Sequence, residues 1–251
     1  MLSKTNYLCE KWDEKFGERV SILTLPIHPS WKDCINMAHN VNVNIDDNLT
    51  YYMKTKKTIY PDPDLLFNAF NLTPLNEVKV VILGQDPYIG EENGIPQAMG
   101  LSFSVPEGMS IPSSLANIYK NMYKFGHINC QPDTGNLEKW ARQGCLMLNA
   151  GLTVYKGESN SHTDMWKEFT NNIIEYINDN CENVVFVLWG GNAIKKLKYI
   201  DNNKHHVILS SHPSGLSCRN KIGQHPSFNE FDHFKEINEY LINNGKTKIE
   251  F

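Results

Sequence analysis

VKVVILGQDPY, residues 78–88, decides how the rest of the sequence is interpreted. The apolar, β-branched run from Val78 to Leu83 is typical of a strand buried on both faces, as in a parallel sheet. A glycine ends the run, and Pro87 steers Asp86 away from helical geometry, so the chain turns there. Open α/β sheets bind ligands at this carboxyl edge. The stretch therefore indicates a functional edge, although a strand followed by an Asp-Pro turn also occurs in many folds.

Three further stretches predict buried strands. Cys145 to Ala150 contains Asn149, His206 to Leu209 is followed by His212, and Val184 to Leu188 closes with Trp-Gly-Gly. Strands alternate with helical patterns from residue 60 onward, so we expect an α/β fold with a central four-stranded, mostly parallel, twisted sheet flanked by helices. The polar groups at the strand ends are expected to converge on one pocket. Simpler alternatives are that the asparagine caps a strand and that the histidine belongs to a turn.

The composition fits a globular chain of 251 residues, 41% hydrophobic and 21% charged. We expect one unit over residues 60–251, preceded by an N-terminal extension, residues 1–59, that packs on it or leads into it. The formal net charge of −4 argues mildly against nucleic-acid binding but leaves a local basic face open. Five basic side chains either supply such a field or form a solvated face: Lys195, Lys196, Lys198, Arg219 and Lys221.

Localisation and metal content are also constrained by the sequence. It has no apolar run long enough to cross a membrane and no signal-peptide core, so we expect an intracellular protein that is not secreted. The six cysteines are scattered without a C-x-x-C pair, which indicates free thiols in a reducing compartment, cytoplasm or nucleus. The histidines match no zinc spacing and no glycine-rich phosphate loop is present, so neither a metal site nor such a cradle is expected.

Shorter patterns predict local structure. Val41 to Thr58 is polar and Asn-rich, and is expected to be an exposed connection. Asp64 is expected to cap a helix over Leu65 to Phe70, and a serine to cap the helix over Leu115 to Tyr123. Leu101 to Val105 alternates in polarity and predicts a short extended segment.

Six motifs resemble, in order, those of the family 1 uracil-DNA glycosylases: GQDPY at 84–88, LSFSV at 101–105, PSSLANIYK at 112–120, LMLNA at 146–150, VFVLWG at 185–190 and HPSGLS at 212–217. The resemblance runs from about residue 60 to the C-terminus, and the combination is highly specific. It implies a central four-stranded parallel sheet and an enzyme of base excision repair that hydrolyses the N-glycosidic bond of uracil in DNA. A base inside a duplex is out of reach, so the nucleotide must be flipped out.

The resemblance also implies roles in the uracil pocket. Phe103 would stack on the flipped base. Asn149 would offer a donor and an acceptor that match uracil O4 and N3–H, a pattern that cytosine reverses. Tyr88 would exclude the methyl group of thymine, and Gln85 would help through its backbone.

In the reaction that the resemblance implies, Asp86 would face the sugar, stabilise the developing oxocarbenium-like cation and orient the attacking water. His212, as a neutral imidazole, would donate to uracil O2, where negative charge collects. Uracil leaves as an anion delocalised over two carbonyls, so a proton donor is less necessary than in the hydrolysis of O-glycosides. Neither role requires a metal or an organic cofactor.

A third set of residues is implied to contact DNA. Leu216 would enter the space that the flipped base leaves. Two groups complete the set. Pro112, Ser113 and Ser114 resemble a loop that would compress the DNA backbone, whereas Gly190, Gly191, Ser214 and Ser217 would meet phosphates, mainly through backbone amides.

The sequence departs from the family pattern in four places, one of which is the segment Ser161 to Trp166, which is one residue shorter. Ile89 stands where the family usually has a histidine, and Gly215 where it usually has a proline. The loop from Ile89 to Gly100 is about four residues longer, and its acidic residues are expected to point away from DNA. None of these changes touches the five main pocket residues, so we expect activity, with a reduced rate.

The expected partner is uracil-containing DNA, single- or double-stranded, bound by a monomer with no membrane association. Uracil-glycosylase inhibitor proteins and replication proteins are further expected partners. The alternative function is a glycosylase-fold DNA-binding or replication-accessory subunit with weak catalysis. A third hypothesis is an unrelated nucleotide-binding α/β protein, but it leaves the six ordered motifs unexplained.

Overall fold

The computed structural model describes residues 10–251. Within that range the strands are β1 (Ile59–Tyr60), β2 (Val80–Gly84), β3 (Glu91–Glu92), β4 (Ile95–Pro96), β5 (Cys145–Asn149), β6 (Val154–Tyr155), β7 (Val185–Trp189) and β8 (His206–Ser210). The α-helices are α1 (Trp12–Phe16), α2 (Lys32–Met37), α3 (His39–Lys54), α4 (Asn68–Leu72), α5 (Ser113–Lys124), α6 (Glu138–Ala141), α7 (Thr163–Asn180), α8 (Gly191–Ile194) and α9 (His233–Asn243).

The central sheet has the strand order β5-β2-β7-β8, and all of its strand pairs are parallel. Gly84 at the end of β2 pairs with Asn149 at the end of β5, and Trp189 pairs with Ser210. Every residue of β2, β5 and β7 is buried, as their unbroken aliphatic runs predict. The predicted α/β fold with a four-stranded sheet is thereby confirmed, and the strand ends lie along one edge.

Two small antiparallel pairs lie outside this sheet. β1 pairs with β6, and β3 pairs with β4 inside the long loop of residues 89–100. Asn93 and Gly94, the two residues between β3 and β4, both have positive φ, 52° and 78°. An Asn-Gly pair in this conformation is the usual two-residue turn of a β-hairpin. The longer loop is therefore an ordered hairpin.

The prediction that residues 41–58 form an exposed connection is wrong. Most of them belong to α3, in which Ile45, Leu49 and Met53 are buried at intervals of four residues. Asn42 is also buried and donates through Nδ2 to the carbonyl of Ile35, 2.7 Å away. One narrow apolar stripe is enough to hold a helix against a core, even where the remaining positions are asparagine and other polar residues.

Two predicted helix caps are also wrong. Asp64 lies inside a 3₁₀ turn, Pro63–Leu65, and α4 begins only at Asn68. Pro112 occupies the N-cap position of α5, with extended backbone and no side-chain cap, so Ser113 is already the first helical residue. Since a proline at that point directs the chain into the helix, the serine hydroxyls remain free of a capping role.

The predicted extended segment Leu101 to Val105 is a turn instead. Phe103 has φ of +62°, a conformation that non-glycine residues rarely adopt, and this reverses the chain direction. Ser102 ties the turn to the sheet by donating its backbone N–H to Met147 over 3.0 Å and its hydroxyl to Ile82 over 3.1 Å.

The described part of the N-terminal segment packs on the same core as the sheet. Trp12 Nε1 donates to the carbonyl of Pro61 and Trp31 Nε1 to that of Thr73, each over 2.9 Å. The division at residues 59 and 60 stays a prediction, and the first nine residues of the predicted extension lie outside the described residues. No helix within residues 10–251 is long and apolar enough to span a membrane.

The cysteines that the structure describes are all free thiols, as their scattered spacing predicts: Cys34, Cys130, Cys145, Cys181 and Cys218.

Candidate active site

A cavity of about 240 Å³ opens at the carboxyl edge of the central sheet. Its wall includes Asp86 after β2, Asn149 at the end of β5 and His212 after β8. The predicted convergence of these three side chains is confirmed. Also on the wall are Gln85, Tyr88, Phe103 and Ser114, together with Ile89 and Ser159.

Asp86 is half-buried and held by a distant loop. Its Oδ2 accepts hydrogen bonds from the Ser159 hydroxyl over 2.9 Å and from the backbone N–H of Asn160 over 2.6 Å. Within the described residues, Oδ1 makes no hydrogen bond, so one carboxylate oxygen is fixed and the other is available to a ligand. Sequence reasoning missed Ser159 and Asn160 because they lie more than seventy residues along the chain from Asp86, and only the fold brings them together.

Asn149 presents a buried amide without a protein partner. The residue is 7% exposed, and its side chain makes no hydrogen bond to any residue in the range 10–251. The amide opens onto the cavity, so a ligand that supplies both a donor and an acceptor can pair with it, whereas a ligand with the reverse pattern would leave it unpaired. Gly84 makes room for it, because a Cβ added at Gly84 would overlap Asn149 Oδ1 and lie 2.7 Å from the Cβ of Ser102.

Phe103 and Tyr88 form an aromatic wall that is fixed by the backbone. Phe103 packs edge to face on Trp189, with ring centroids 5.7 Å apart, and its centroid lies 5.9 Å from that of His212. The Tyr88 hydroxyl donates to the carbonyl of Phe103 over 3.2 Å. Burial, with a smaller contribution from Tyr119, raises the pKa of the Tyr88 phenol, so it remains a neutral donor.

His212 has its tautomer determined by the backbone. Nδ1 accepts a hydrogen bond from the N–H of Ser214 over 3.0 Å, so Nε2 must carry the proton in the neutral ring. Burial lowers the pKa of the imidazole, which also favours the neutral form. Gly190 lies against the ring, and a Cβ there would come within 2.9 Å of the His212 Cβ. His212 is therefore placed as a neutral hydrogen-bond donor.

The Gln85 side chain points along the rim of the cavity. Nε2 donates to Asn160 Oδ1 over 2.5 Å, and Oε1 accepts from Asn192 Nδ2 over 3.4 Å. Its backbone carbonyl accepts from the N–H of Gly151 over 2.9 Å. The side chain thus braces the loop that holds Asp86.

The residues predicted to contact DNA lie in or beside the cavity and the groove that adjoins it. A groove of about 350 Å³ shares His212 with the cavity and is lined by Gly190, Gly191, Ser214 and Ser217. Leu216 projects beside it with 92% of its surface exposed. The start of α5 is next to the loop that carries Leu216, since Asn117 Nδ2 donates to the Pro213 carbonyl over 2.8 Å. Ser114 lines the cavity, whereas Pro112 and Ser113 do not.

The long loop keeps its acidic residues engaged with the protein. Glu91 accepts from the Tyr60 hydroxyl and pairs with Lys156, each over 2.6 Å. Glu92 accepts from the backbone N–H of Ser110 over 3.2 Å. Ile89 packs against an apolar cluster of Tyr60, Ala98 and Val154 while it lines the cavity. The isoleucine that replaces the usual histidine is thus an apolar part of the wall.

Comparison with known proteins decides the family. The family model of the uracil DNA glycosylase superfamily matches residues 70–242. The chain belongs to that superfamily. Proteins named uracil-DNA glycosylase are 39–47% identical to this chain over most of its length. The predicted activity is thereby confirmed: this glycosylase is a uracil-DNA glycosylase, an enzyme that hydrolyses N-glycosyl bonds in DNA repair.

Similar proteins span almost the whole glycosylase. The uracil-DNA glycosylase of Campylobacter concisus is 44% identical over 93% of this chain and 97% of its own length. The probable uracil-DNA glycosylase of Acanthamoeba polyphaga mimivirus is 39% identical over 99% of this chain and 71% of its own. A crystal structure of mimivirus uracil-DNA glycosylase matches with a TM-score of 0.94, covering 99% of this chain and 96% of that chain. A variant of mimivirus UNG in complex with UGI matches with 40% identity and the same TM-score, covering 98% of this chain and 97% of that chain.

Proposed function

We propose that this glycosylase binds uracil, flipped out of DNA, in the cavity of about 240 Å³, with Asp86 on the sugar side and His212 at uracil O2. The observation that carries the proposal is the orientation of His212. Its Nδ1 is occupied by the Ser214 N–H, so Nε2–H is available as a donor without protonation of the ring.

Uracil would be recognised by the unpartnered amide of Asn149, which lies 7% exposed in the wall. The amide oxygen accepts uracil N3–H while the amide nitrogen donates to O4. Cytosine presents an acceptor and a donor at these positions, so both groups would be left unpaired, which disfavours binding far more than a missing contact does. Phe103 would stack on the base and Tyr88 would exclude a 5-methyl group by overlap.

The bond that breaks joins C1′ of deoxyribose to N1 of uracil. The electron pair leaves with uracil, and the anion is stabilised by the His212 Nε2–H at O2. The free Oδ1 of Asp86 faces the cationic sugar and orients a water whose oxygen bonds to C1′, and that water gives up a proton to the carboxylate. Ser159 and Asn160 hold Oδ2 in place during these steps. Free uracil and an abasic site result.

DNA would be held mainly by uncharged groups. Leu216, which is 92% exposed, would fill the vacated base position. The N–H of Gly191 and the hydroxyls of Ser214 and Ser217 would meet phosphates, since the N–H groups of these two serines already donate to His212 Nδ1 and to the Ser214 carbonyl. Pro112 to Ser114 would press on the strand backbone. This arrangement needs little net positive charge, which suits a chain with a formal charge of −4.

The proposal includes a monomeric enzyme whose exposed rim is open to an inhibitor protein, since a similar mimivirus UNG variant is found in complex with UGI. Size-exclusion chromatography of the chain with and without UGI tests both statements. Elution as a dimer, or no complex with UGI, would contradict them.

The test of the activity is release of labelled uracil from an oligonucleotide in EDTA, with a thymine-containing oligonucleotide as control. We expect release from the uracil substrate only, and a loss of several orders of magnitude in the Asp86→Asn variant. If wild-type protein binds the DNA but releases nothing, the accessory-subunit alternative takes the place of the enzyme.

A further inference from the structure

A second cavity, of about 490 Å³, lies beside the groove of Gly190 and Gly191 and is not used by the reaction described above. We call it the lysine cavity, because four lysines and one aspartate line it: Lys167, Lys195, Lys196, Lys198 and Asp164. The charge on its wall is opposite in sign to that of the whole chain, which carries a formal charge of −4.

Lys196 is the unusual member of this cavity. It is only 8% exposed, and its Nζ donates one hydrogen bond, to Asn171 Oδ1 over 2.5 Å. Within residues 10–251, no carboxylate lies within ion-pair distance of it. A buried ammonium without an anion is unfavourable, since desolvation is not offset by a partner charge.

The surroundings hold this ammonium in place instead of releasing it to solvent. Asn171 donates through Nδ2 to the Tyr199 hydroxyl over 2.9 Å, so its oxygen remains directed at Lys196. Two N–H groups of the ammonium are left without a protein acceptor in the described part of the chain. Burial, together with Lys167 and Lys198, lowers the pKa of Lys196, and a bound anion would reverse that effect.

The position of the lysine cavity indicates the ligand. Gln85, Ala150 and Asn192 line both this cavity and the groove next to His212, so the two are continuous. A strand whose uracil enters the active site would therefore pass the mouth of the lysine cavity. Its phosphodiesters are the anions present at high local concentration there.

We propose that the lysine cavity binds one backbone phosphate of the uracil-bearing strand, outside the flipped nucleotide, with Lys196 as the buried contact and Lys198 at the mouth. The identity of the ligand as DNA rests on the proposed function. The site extends the DNA contact beyond the uncharged groups around the uracil cavity and gives it a charged, salt-sensitive component.

The experiment compares the wild type with a double variant that carries both Lys196→Met and Lys198→Met. A single variant, Lys139→Met, serves as the control. Lys139 is an exposed lysine on α6, which precedes the amino end of β5 at the opposite edge of the sheet. Binding of a single-stranded oligonucleotide is followed by fluorescence anisotropy across a salt series, and uracil release gives kcat and KM. Substrates carry a neutral methylphosphonate at one linkage at a time.

We expect the double variant to raise Kd and KM about threefold to tenfold with unchanged kcat, and to reduce the salt slope by roughly 0.7, the value for one phosphate on a single strand. One methylphosphonate position should produce the same loss in wild type and no further loss in the double variant. Thermal stability should be kept or raised, because an unpaired buried charge is removed.

Equal Kd, KM and salt slope for the double variant and Lys139→Met would overturn the proposal. So would a uniform loss at every methylphosphonate position, which would show a diffuse field and no bound phosphate. Competition by inorganic phosphate at millimolar concentration, with no effect of any methylphosphonate, would assign the cavity to free phosphate instead. If wild-type protein binds DNA but releases no uracil, the proposed function is refuted. The anisotropy measurements still test whether the lysine cavity binds a phosphate.

Discussion

The backbone N–H of Ser214 donates to Nδ1 of His212 over 3.0 Å, two residues back along the chain. This bond requires an unprotonated Nδ1, so it selects the neutral ring with its proton on Nε2. A short loop thus converts a residue that usually titrates near neutral pH into a permanent donor facing the cavity.

Replacing His212 with leucine should lower kcat about 10²- to 10³-fold, the loss typical of removing one donor to a developing anion. Because the folded-state pKa of His212 is lowered, its protonation should not limit wild-type kcat above the usual histidine range. Single-turnover uracil release at pH values from 5 to 8 measures both effects. An acid limb in kcat centred above pH 6.5 that disappears in His212→Leu would contradict the neutral donor.

Gly84→Ala should displace the recognition amide while leaving its chemistry unchanged. The added methyl group would overlap Asn149 Oδ1 and approach Ser102, so the amide must move out of its place. We expect a loss of uracil release of about 10²-fold or more and a fall in the free energy of unfolding of about 1–3 kcal/mol, as for other overpacked sites. Urea unfolding and the uracil-release assay measure the two. Activity equal to wild type would show that the site tolerates a displaced Asn149.

Ser159→Ala tests a positioning residue for Asp86. The carboxylate keeps its bond from the Asn160 N–H but loses the one from the Ser159 hydroxyl, 2.9 Å away. We expect kcat to fall by about one to two orders of magnitude with KM unchanged, since a hydrogen bond to a charged group contributes about 1.5–3 kcal/mol. Ser159→Thr, which keeps the hydroxyl, should restore most of the rate. Equal kcat values for the alanine and threonine variants would remove Ser159 from this role.

Two buried histidines outside the site predict the pH dependence of stability. Burial lowers the pKa of both His162 and His233 from the usual 6.5 to about 4 in the folded state. Between these values the unfolded chain binds more protons than the folded one, so stability is complete above pH 6.5 and decreases as pH falls toward 4. Each histidine contributes at most about 1.4 kcal/mol per pH unit.

Urea unfolding at intervals from pH 7 to pH 4.5 measures this slope. His162→Asn, which retains a polar atom toward Thr153, should reduce it, because one of the buried histidines with a lowered pKa would no longer take up a proton on unfolding. An unchanged slope in the variant would show that His162 is not responsible.

Much of the fold was predictable because aliphatic runs and turn residues act locally. The predicted bounds of the four central strands lie within about two residues of the observed ones. An unbroken β-branched run that ends at a glycine or a polar residue usually forms a buried strand. α3 was missed because its apolar residues, Ile45, Leu49 and Met53, are separated by asparagines that suggest a loop. The Asn93-Gly94 pair is itself a local signal for the hairpin turn that the structure contains.

The sequence by itself determined which chemical groups stand at the strand ends, because parallel strands put their carboxyl ends on one edge whatever the loops do. Only the tertiary structure decided how those groups are held. Ser159 reaches Asp86 across more than seventy residues, and Gly84 leaves the space that Asn149 fills. Lys196 likewise becomes a buried cation only through its contact with Asn171 on α7. Hydrogen bonds and close contacts of this kind depend on distances in space, which no local pattern in the chain encodes.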